Sequence, residues 1–251
     1  MTQNERHERI VRELADKRRV LVKDLAREFE VTEDCIRKDL TLLEKAGQLR
    51  RIHGGAVSVR SNFYIMKARD RAGKDVEQKR QIAKSALDMI EDGQTVFLGV
   101  SSTVVELARM IVHSHKKVTV VTNMVPVLEE LAGDEGQAVY FIGGSLNKGR
   151  DGFVGGLADR QIRQFNYDVS FIGAVGLDVE KNTVMTYSVE DGVSKKAVME
   201  QSRSCVLLVE KSKFEQDGTY NFARLSDFDR LITTDCPEAA RAKQYLTVIT
   251  T

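Results

Sequence analysis

Tryptophan is absent from the 251 residues, and proline occurs only twice. So little proline excludes a collagen-like or proline-rich polymer and leaves helices almost unbroken by composition. Cys35, Cys205 and Cys236 are odd in number and far apart, with no CxxC pairing. Neither a disulfide framework nor a zinc site follows from them, and reduced thiols are expected. No run approaches the roughly 18 apolar residues of a membrane span. The N-terminal MTQNERHERI is polar where a secretory signal is apolar, so a cytoplasmic protein with no membrane association is expected. What is present is 42% hydrophobic and 30% charged residues, enough for a core in one large domain or in a small and a medium one.

Acidic residues are missing from one stretch. None falls between Glu44 and Asp70, whereas Lys45, Arg50, Arg51, Arg60, Lys67 and Arg69 do. The net charge of +1 hides this division: residues 1–60 carry 14 Lys or Arg against 11 Asp or Glu, and the remainder carries 24 against 26. A local positive stripe is the footprint of a phosphate-backbone binder, and equally the ordinary dress of a solvated face. The fold has to decide between them.

Three short helical patterns fill the first 60 residues, marked by Ile10 and Leu14, by Leu25, Ala26 and Phe29, and by Ile36, Leu40 and Leu43. Thr32 stands as an N-cap before the third, with Glu33 and Asp34 suited to its positive end, and Gly47 stops it. Residues 48–59 then read as a two-stranded ribbon turning at Gly54 and Gly55. The expectation is a winged helix-turn-helix unit over residues 1–60. Residues 61–75, charged and aperiodic, read as a linker. From 76 to 251, apolar runs at 95–100, 118–122, 138–142, 169–174, 205–209 and 231–233 alternate with helical segments near 77–91, 102–113, 125–132, 156–166, 191–202 and 237–244. That alternation predicts an α/β domain with a mostly parallel sheet, whose ligands sit beyond the carboxyl ends of the strands.

Two sets of residues are placed for recognition. In a helix-turn-helix the start of the second helix enters the major groove. Here Ile36 and Leu40 face inward, which turns Arg37, Lys38 and Thr41 outward, and Arg37 has the fork that pairs with guanine. Arg50, Arg51 and His53 cluster where a wing meets the backbone or minor groove, whereas Glu33 and Asp34 oppose phosphate. At the strand ends of the second domain stand Ser101, Ser102 and Thr103, then Thr122 and Asn123, then Gly143 and Gly144. Hydroxyls and backbone N–H groups at such junctions hold anions, and they also serve as plain N-caps.

The stretch VTEDCIRKDLTLLEKAG followed by LRRIHGGAV resembles the winged-helix signature of the DeoR family of bacterial transcriptional repressors. FIGAVGL at 171–177 and EKSKF at 210–214 are similar to signatures of that family's effector domain, which is related in fold to sugar-phosphate isomerases. The resemblance covers nearly the whole chain. It implies a sequence-specific repressor of a carbohydrate-utilisation operon, working as a homo-oligomer (dimer or tetramer) on double-stranded operator DNA. A phosphorylated sugar or sugar alcohol is the implied effector, with Lys213 its charge partner and no cofactor or metal. Thr32 joins the DNA-facing set on the same footing. This chain departs from the family pattern at Cys35, where threonine is usual, and at Gly99, Ser101, Val175 and Glu210, where Asp, Gly, Asp and Asp are common. Those changes keep open a regulator without a small-molecule effector. An enzyme acting on a sugar phosphate is the remaining alternative, with Glu190, Asp191 and Lys195 as its candidate cluster.

Overall fold

The computed structural model describes residues 2–17, 19–58, 61–62, 73–133, 136–147, 149 and 151–251. Contacts divide the chain into two compact units, Met1–Arg60 and Ser61–Thr251.

The first unit runs α1 (Gln3–Lys17), β1 (Arg19–Leu21), α2 (Val22–Phe29), α3 (Glu33–Lys45), β2 (Leu49–Ile52) and β3 (Gly55–Ser58). Each helix alone is too short to persist in water, so burial of one apolar face must hold it. Ile10 and Leu14 of α1, Leu25 and Phe29 of α2, and Ile36, Leu40 and Leu43 of α3 form one shared core, closed by Leu49 and Ala56 of the ribbon. The ribbon has a third strand that the sequence does not announce, since β1 pairs antiparallel with β3. Gly55 permits this, because a Cβ there would lie 2.0 Å from the Val20 carbonyl oxygen. Inside the unit, Asp39 is buried and receives Arg6 Nε at 2.8 Å, with His7 Nε2 at 3.1 Å.

The second unit begins with β4 (Ser61–Asn62), which lies in the segment read as a linker but pairs in parallel with β14 (Gln216–Asp217). Residues 63–72 of that segment lie outside the described residues. There follow α4 (Val76–Leu87), β5 (Thr95–Leu98), α5 (Ser102–Val112), β6 (Thr119–Thr122), α6 (Val125–Leu131), β7 (Ala138–Phe141), β8 (Ser145–Leu146), β9 (Phe153–Val154) and α7 (Gly156–Ile162). The chain continues through β10 (Val169–Gly173), β11 (Gly176–Asp178), β12 (Thr183–Thr186), α8 (Val189–Glu200), β13 (Cys205–Leu208), a 3-10 turn at Lys211–Glu215, then β14, β15 (Tyr220–Ala223), β16 (Arg230–Thr233), α9 (Pro237–Ala242) and β17 (Thr247–Thr250).

Seven strands form one sheet in the order β17-β16-β13-β10-β5-β6-β7, every neighbouring pair parallel. Such a sheet needs cover on both faces. One face packs Ile82, Val104, Leu107 and Val127 from α4, α5 and α6; the other packs Ala158, Ile162, Ala197 and Ala242 from α7, α8 and α9. From β5 the chain winds outward through β6 and β7, then returns to β10 on the other side of β5 and winds away through β13, β16 and β17. The order therefore reverses between β5 and β10, which opens a crevice beyond their carboxyl ends. A small antiparallel sheet of β11, β12 and β15 stands beside it. Strand β12 falls between the apolar run at 169–174 and the helical segment near 191–202, where no further apolar run announces it.

Candidate functional site

On the first unit, Thr32 caps α3, its hydroxyl accepting from the Cys35 N–H at 3.3 Å. That spends Thr32 on the helix terminus. Arg37 and Lys38 are exposed on the next turn. The Arg37 guanidinium is held by its own helix, at 2.6 Å from both Glu33 Oε2 and Asp34 Oδ1. Exposed pairs at this spacing contribute only about 0.3–0.5 kcal/mol, so a guanine edge competes on easy terms. Arg51 joins the wing to α3: its Nη1 donates to Thr41 Oγ1 at 2.8 Å and its backbone N–H to Glu44 Oε1 at 2.7 Å. Arg50 and His53 lie exposed on the same ribbon. The Arg51–Thr41 contact thus brings the wing against α3.

On the second unit, a cleft lies at the strand-order reversal. Ser101 and Ser102 enter it from the start of α5, Gly173 and Val175 from the end of β10, and Glu210 and Lys213 from the segment after β13. Gly173 makes the approach possible, because a Cβ there would fall 2.4 Å from the Cβ of Ser101. Ser101 is the N-cap of α5, its Oγ accepting from the Thr103 N–H at 3.3 Å. The positive end of an 11-residue helix therefore opens toward the cleft. Across from it, Lys195 Nζ lies 2.6 Å from Asp191 Oδ2, both on α8, and Thr186 Oγ1 donates to the same carboxylate oxygen. Lys213 Nζ donates to Gln216 Oε1 at 3.0 Å. A helix N-terminus and two lysines lining one cleft suit an anion, and the carboxylates of Asp191 and Glu210 suit hydroxyls.

The expected strand-end residues do not all reach this cleft. Ser101, Ser102 and Lys213 line it. Thr103 is buried behind it, donating to Glu210 Oε1 at 3.3 Å. Thr122 is turned into the sheet, where its hydroxyl donates to the Leu98 carbonyl at 2.7 Å. Asn123 borders a smaller recess that adjoins the cleft. Gly143 spends its backbone on Gln161, whose Nε2 donates to its carbonyl at 3.0 Å, and a Cβ on Gly144 would press the Val154 carbonyl at 2.9 Å. Both glycines serve packing of α7 against the strands. Tyr187 and Asn147, which no pattern singled out, line the cleft instead. Asp191 and Lys195 could be found as an i,i+4 pair; nothing local says that this pair faces a ligand.

Among the described residues no group of acidic, histidine or cysteine side chains could hold a metal ion, and no helix is long and apolar enough to cross a membrane.

A helix-turn-helix unit with a basic wing, joined in one chain to an α/β unit with an anion-suited cleft, defines a ligand-sensing DNA-binding regulator. Residues 6–62 match the DeoR-like helix-turn-helix domain and residues 74–235 the DeoR C-terminal sensor domain. The chain belongs to the DeoR family. It is 31% identical to the transcriptional repressor AccR of Agrobacterium fabrum over 91% of this chain and 88% of that protein. It is also 31% identical to a lactose phosphotransferase system repressor of Staphylococcus epidermidis, over 92% of each. With the glycerol-3-phosphate regulon repressor of Escherichia coli it shares 28% identity over 98% of this chain and 96% of the relative. These relatives are named as repressors, so the role is regulatory and the enzymatic alternative is set aside. A ribose 5-phosphate isomerase from Methanocaldococcus jannaschii aligns at a TM-score of 0.42 with 17% identity, over 56% of this chain and 55% of that one, a likeness too loose to bear on function.

Proposed function

We propose that the chain represses carbohydrate-utilisation genes by binding a double-stranded operator as a homo-oligomer, a dimer or larger, and that a phosphorylated sugar or sugar alcohol in the cleft alters that binding. Arg37, Lys38 and Thr41 face the bases and phosphates of the major groove, and Arg50, Arg51 and His53 follow the backbone. The observation that carries the sensing half is the convergence of the α5 N-terminus, Lys195 and Lys213 on one crevice, with Asp191 and Glu210 as hydroxyl acceptors beside them. The residues that depart from the family pattern at 101, 175 and 210 line this same crevice, so the polar set is rearranged around it without being emptied. An effector changes operator affinity only if it binds one arrangement of the protein more tightly than the other.

The test is binding to a DNA fragment from upstream of the chain's own reading frame, titrated with a panel of sugar phosphates at fixed salt. Specific binding that one of them shifts is the expected result. Specific binding that none shifts would leave a repressor without such an effector, and absence of specific binding would overturn the proposal.

A further inference from the structure

Asn123 stands directly after β6 and is 4% exposed. Its Nδ2 donates to the Phe153 carbonyl at 2.8 Å, and its own carbonyl accepts from the Phe153 N–H at 2.8 Å. Because a carbonyl oxygen can only accept, this contact fixes the amide with the Nδ2 toward Phe153. The other end, Oδ1, is buried and has no hydrogen-bond partner among the described residues. Buried acceptors are normally satisfied, and one left over in a folded protein needs a reason. Asn123 borders a recess, together with Gly99, Ile172 and Ser194, that has room for a group about the size of one water or hydroxyl. Val100, Asp191 and Lys195 line both this recess and the larger cleft, so the two compartments are contiguous.

We propose that the recess is a second compartment of the effector site, in which Asn123 Oδ1 accepts a hydrogen bond from a hydroxyl on the effector's carbon skeleton. The inference rests on reading the cleft as a sugar-phosphate site and adds where one hydroxyl goes, the carbon skeleton itself staying in the larger cleft. The phosphate stays in the outer compartment by the α5 N-terminus and Lys213. Charge selects the group that enters the recess. Asp191 and Lys195 neutralise one another across 2.6 Å, so neither an anion nor a cation gains a net charge partner in the recess, and an anion would also meet the Asn123 acceptor. A neutral hydroxyl satisfies Oδ1 with neither conflict. Monophosphates with a hydroxylated chain are therefore favoured over ligands charged at both ends.

The test uses the full chain and calorimetric titration with inorganic phosphate, glycerol 3-phosphate, ribose 5-phosphate and glucose 6-phosphate, together with 2-deoxyribose 5-phosphate and 2-deoxyglucose 6-phosphate. At least one sugar phosphate is expected to bind more tightly than inorganic phosphate. Asn123→Leu should weaken that ligand about tenfold, with the loss confined to ligands that carry a skeleton. Gly99→Ala narrows the recess while sparing the Phe153 contact, since its Cβ would lie 3.2 Å from the Phe171 carbonyl and 3.5 Å from Phe97 Cε1; it should reproduce the selective loss even if the Asn123 variant folds poorly. Variants that bind sugar phosphates as well as the parent chain overturn the recess. Operator titration on the same samples keeps the two readings apart: if sugar phosphates still shift operator affinity, only the recess is lost, and if no probe binds better than inorganic phosphate, the effector reading falls with it.

Discussion

Lys79 Nζ lies 3.5 Å from Glu210 Oε1, with side chains only 3% and 5% exposed. The same carboxylate oxygen accepts from Thr103, and Lys79 Nζ donates to the Lys74 carbonyl at 2.5 Å. The pair fastens α4 beneath the floor of the cleft. Removing one member of a buried pair leaves the other charged in a low-dielectric site, which costs about 3–5 kcal/mol, whereas replacing both with apolar groups is often neutral. Lys79→Met should therefore lower the urea midpoint sharply, and Lys79→Met combined with Glu210→Met should recover most of it. Equal losses in the single and double variants would mean that the pair contributes nothing through its charges.

Asp39 gives the first unit a pH dependence of definite sign. Burial pushes its carboxyl up, but hydrogen bonds from Arg6, Gln3 and His7 outweigh this and hold it below its ordinary value of 3.8. Between the folded and unfolded values the unfolded chain binds more protons, so stability falls as pH drops through that interval. The contribution is complete above about pH 5 and is lost progressively as pH falls through the folded value. Protection of the α3 amides in the full chain, taken relative to intrinsic exchange rates at each pH, should fall on acidification through this window, and Asp39→Asn should lower protection at neutral pH and remove the acid step. An unchanged acid limb in that variant would assign the step to other carboxylates.

Much of the architecture was legible because its strands are buried on both faces: FLG at 97–99 and the five residues of β10 are continuous apolar or small runs. Strands β11, β12, β15 and β17 carried no such signal. Thr183–Thr186 and Thr247–Thr250 are framed by threonines that read equally as loop, and only pairing with partners distant in sequence makes them strands. The site divides in the same manner. Ser101 follows β5 and Thr122 ends β6, yet one opens to the cleft and the other turns its hydroxyl to Leu98. Which way a strand-end side chain turns depends on the neighbouring strand, and that is tertiary information. The recognition helix was easier, because a helix with Ile36 and Leu40 inward fixes Arg37 and Lys38 outward through its own period.

The thiols divide by burial. Desolvation pushes the Cys205 thiol up to about 12 and raises Cys236 as well. A thiol held protonated and shielded alkylates slowly. Iodoacetamide at pH 8 should leave Cys205 unmodified in the native chain and label it on unfolding, with Cys35, half-buried at the start of α3, labelled first. Mass spectrometry of tryptic peptides reads the order. Early labelling of Cys205 would show that the β13 region opens under native conditions.

If the proposed DNA contacts hold, α3 and the wing of the first unit should separate base reading from backbone holding. Arg37→Ala should cost about 1–3 kcal/mol on the operator and relax preference at one base pair, because the guanidinium sits on the exposed first half of α3. Arg50→Ala removes a charge from the wing and should weaken operator and random DNA alike, lowering the salt slope by about one. Arg51 differs from both, since its Nη1 is bonded to Thr41. Residues in direct contact couple, so Arg51→Ala and Thr41→Val should be non-additive while Arg50→Ala and Thr41→Val add. Titrations on operator and random fragments at two salt concentrations supply all of these quantities. Strict additivity of the Arg51 and Thr41 variants would mean that the contact does not persist on DNA, and that wing and helix act as independent readers.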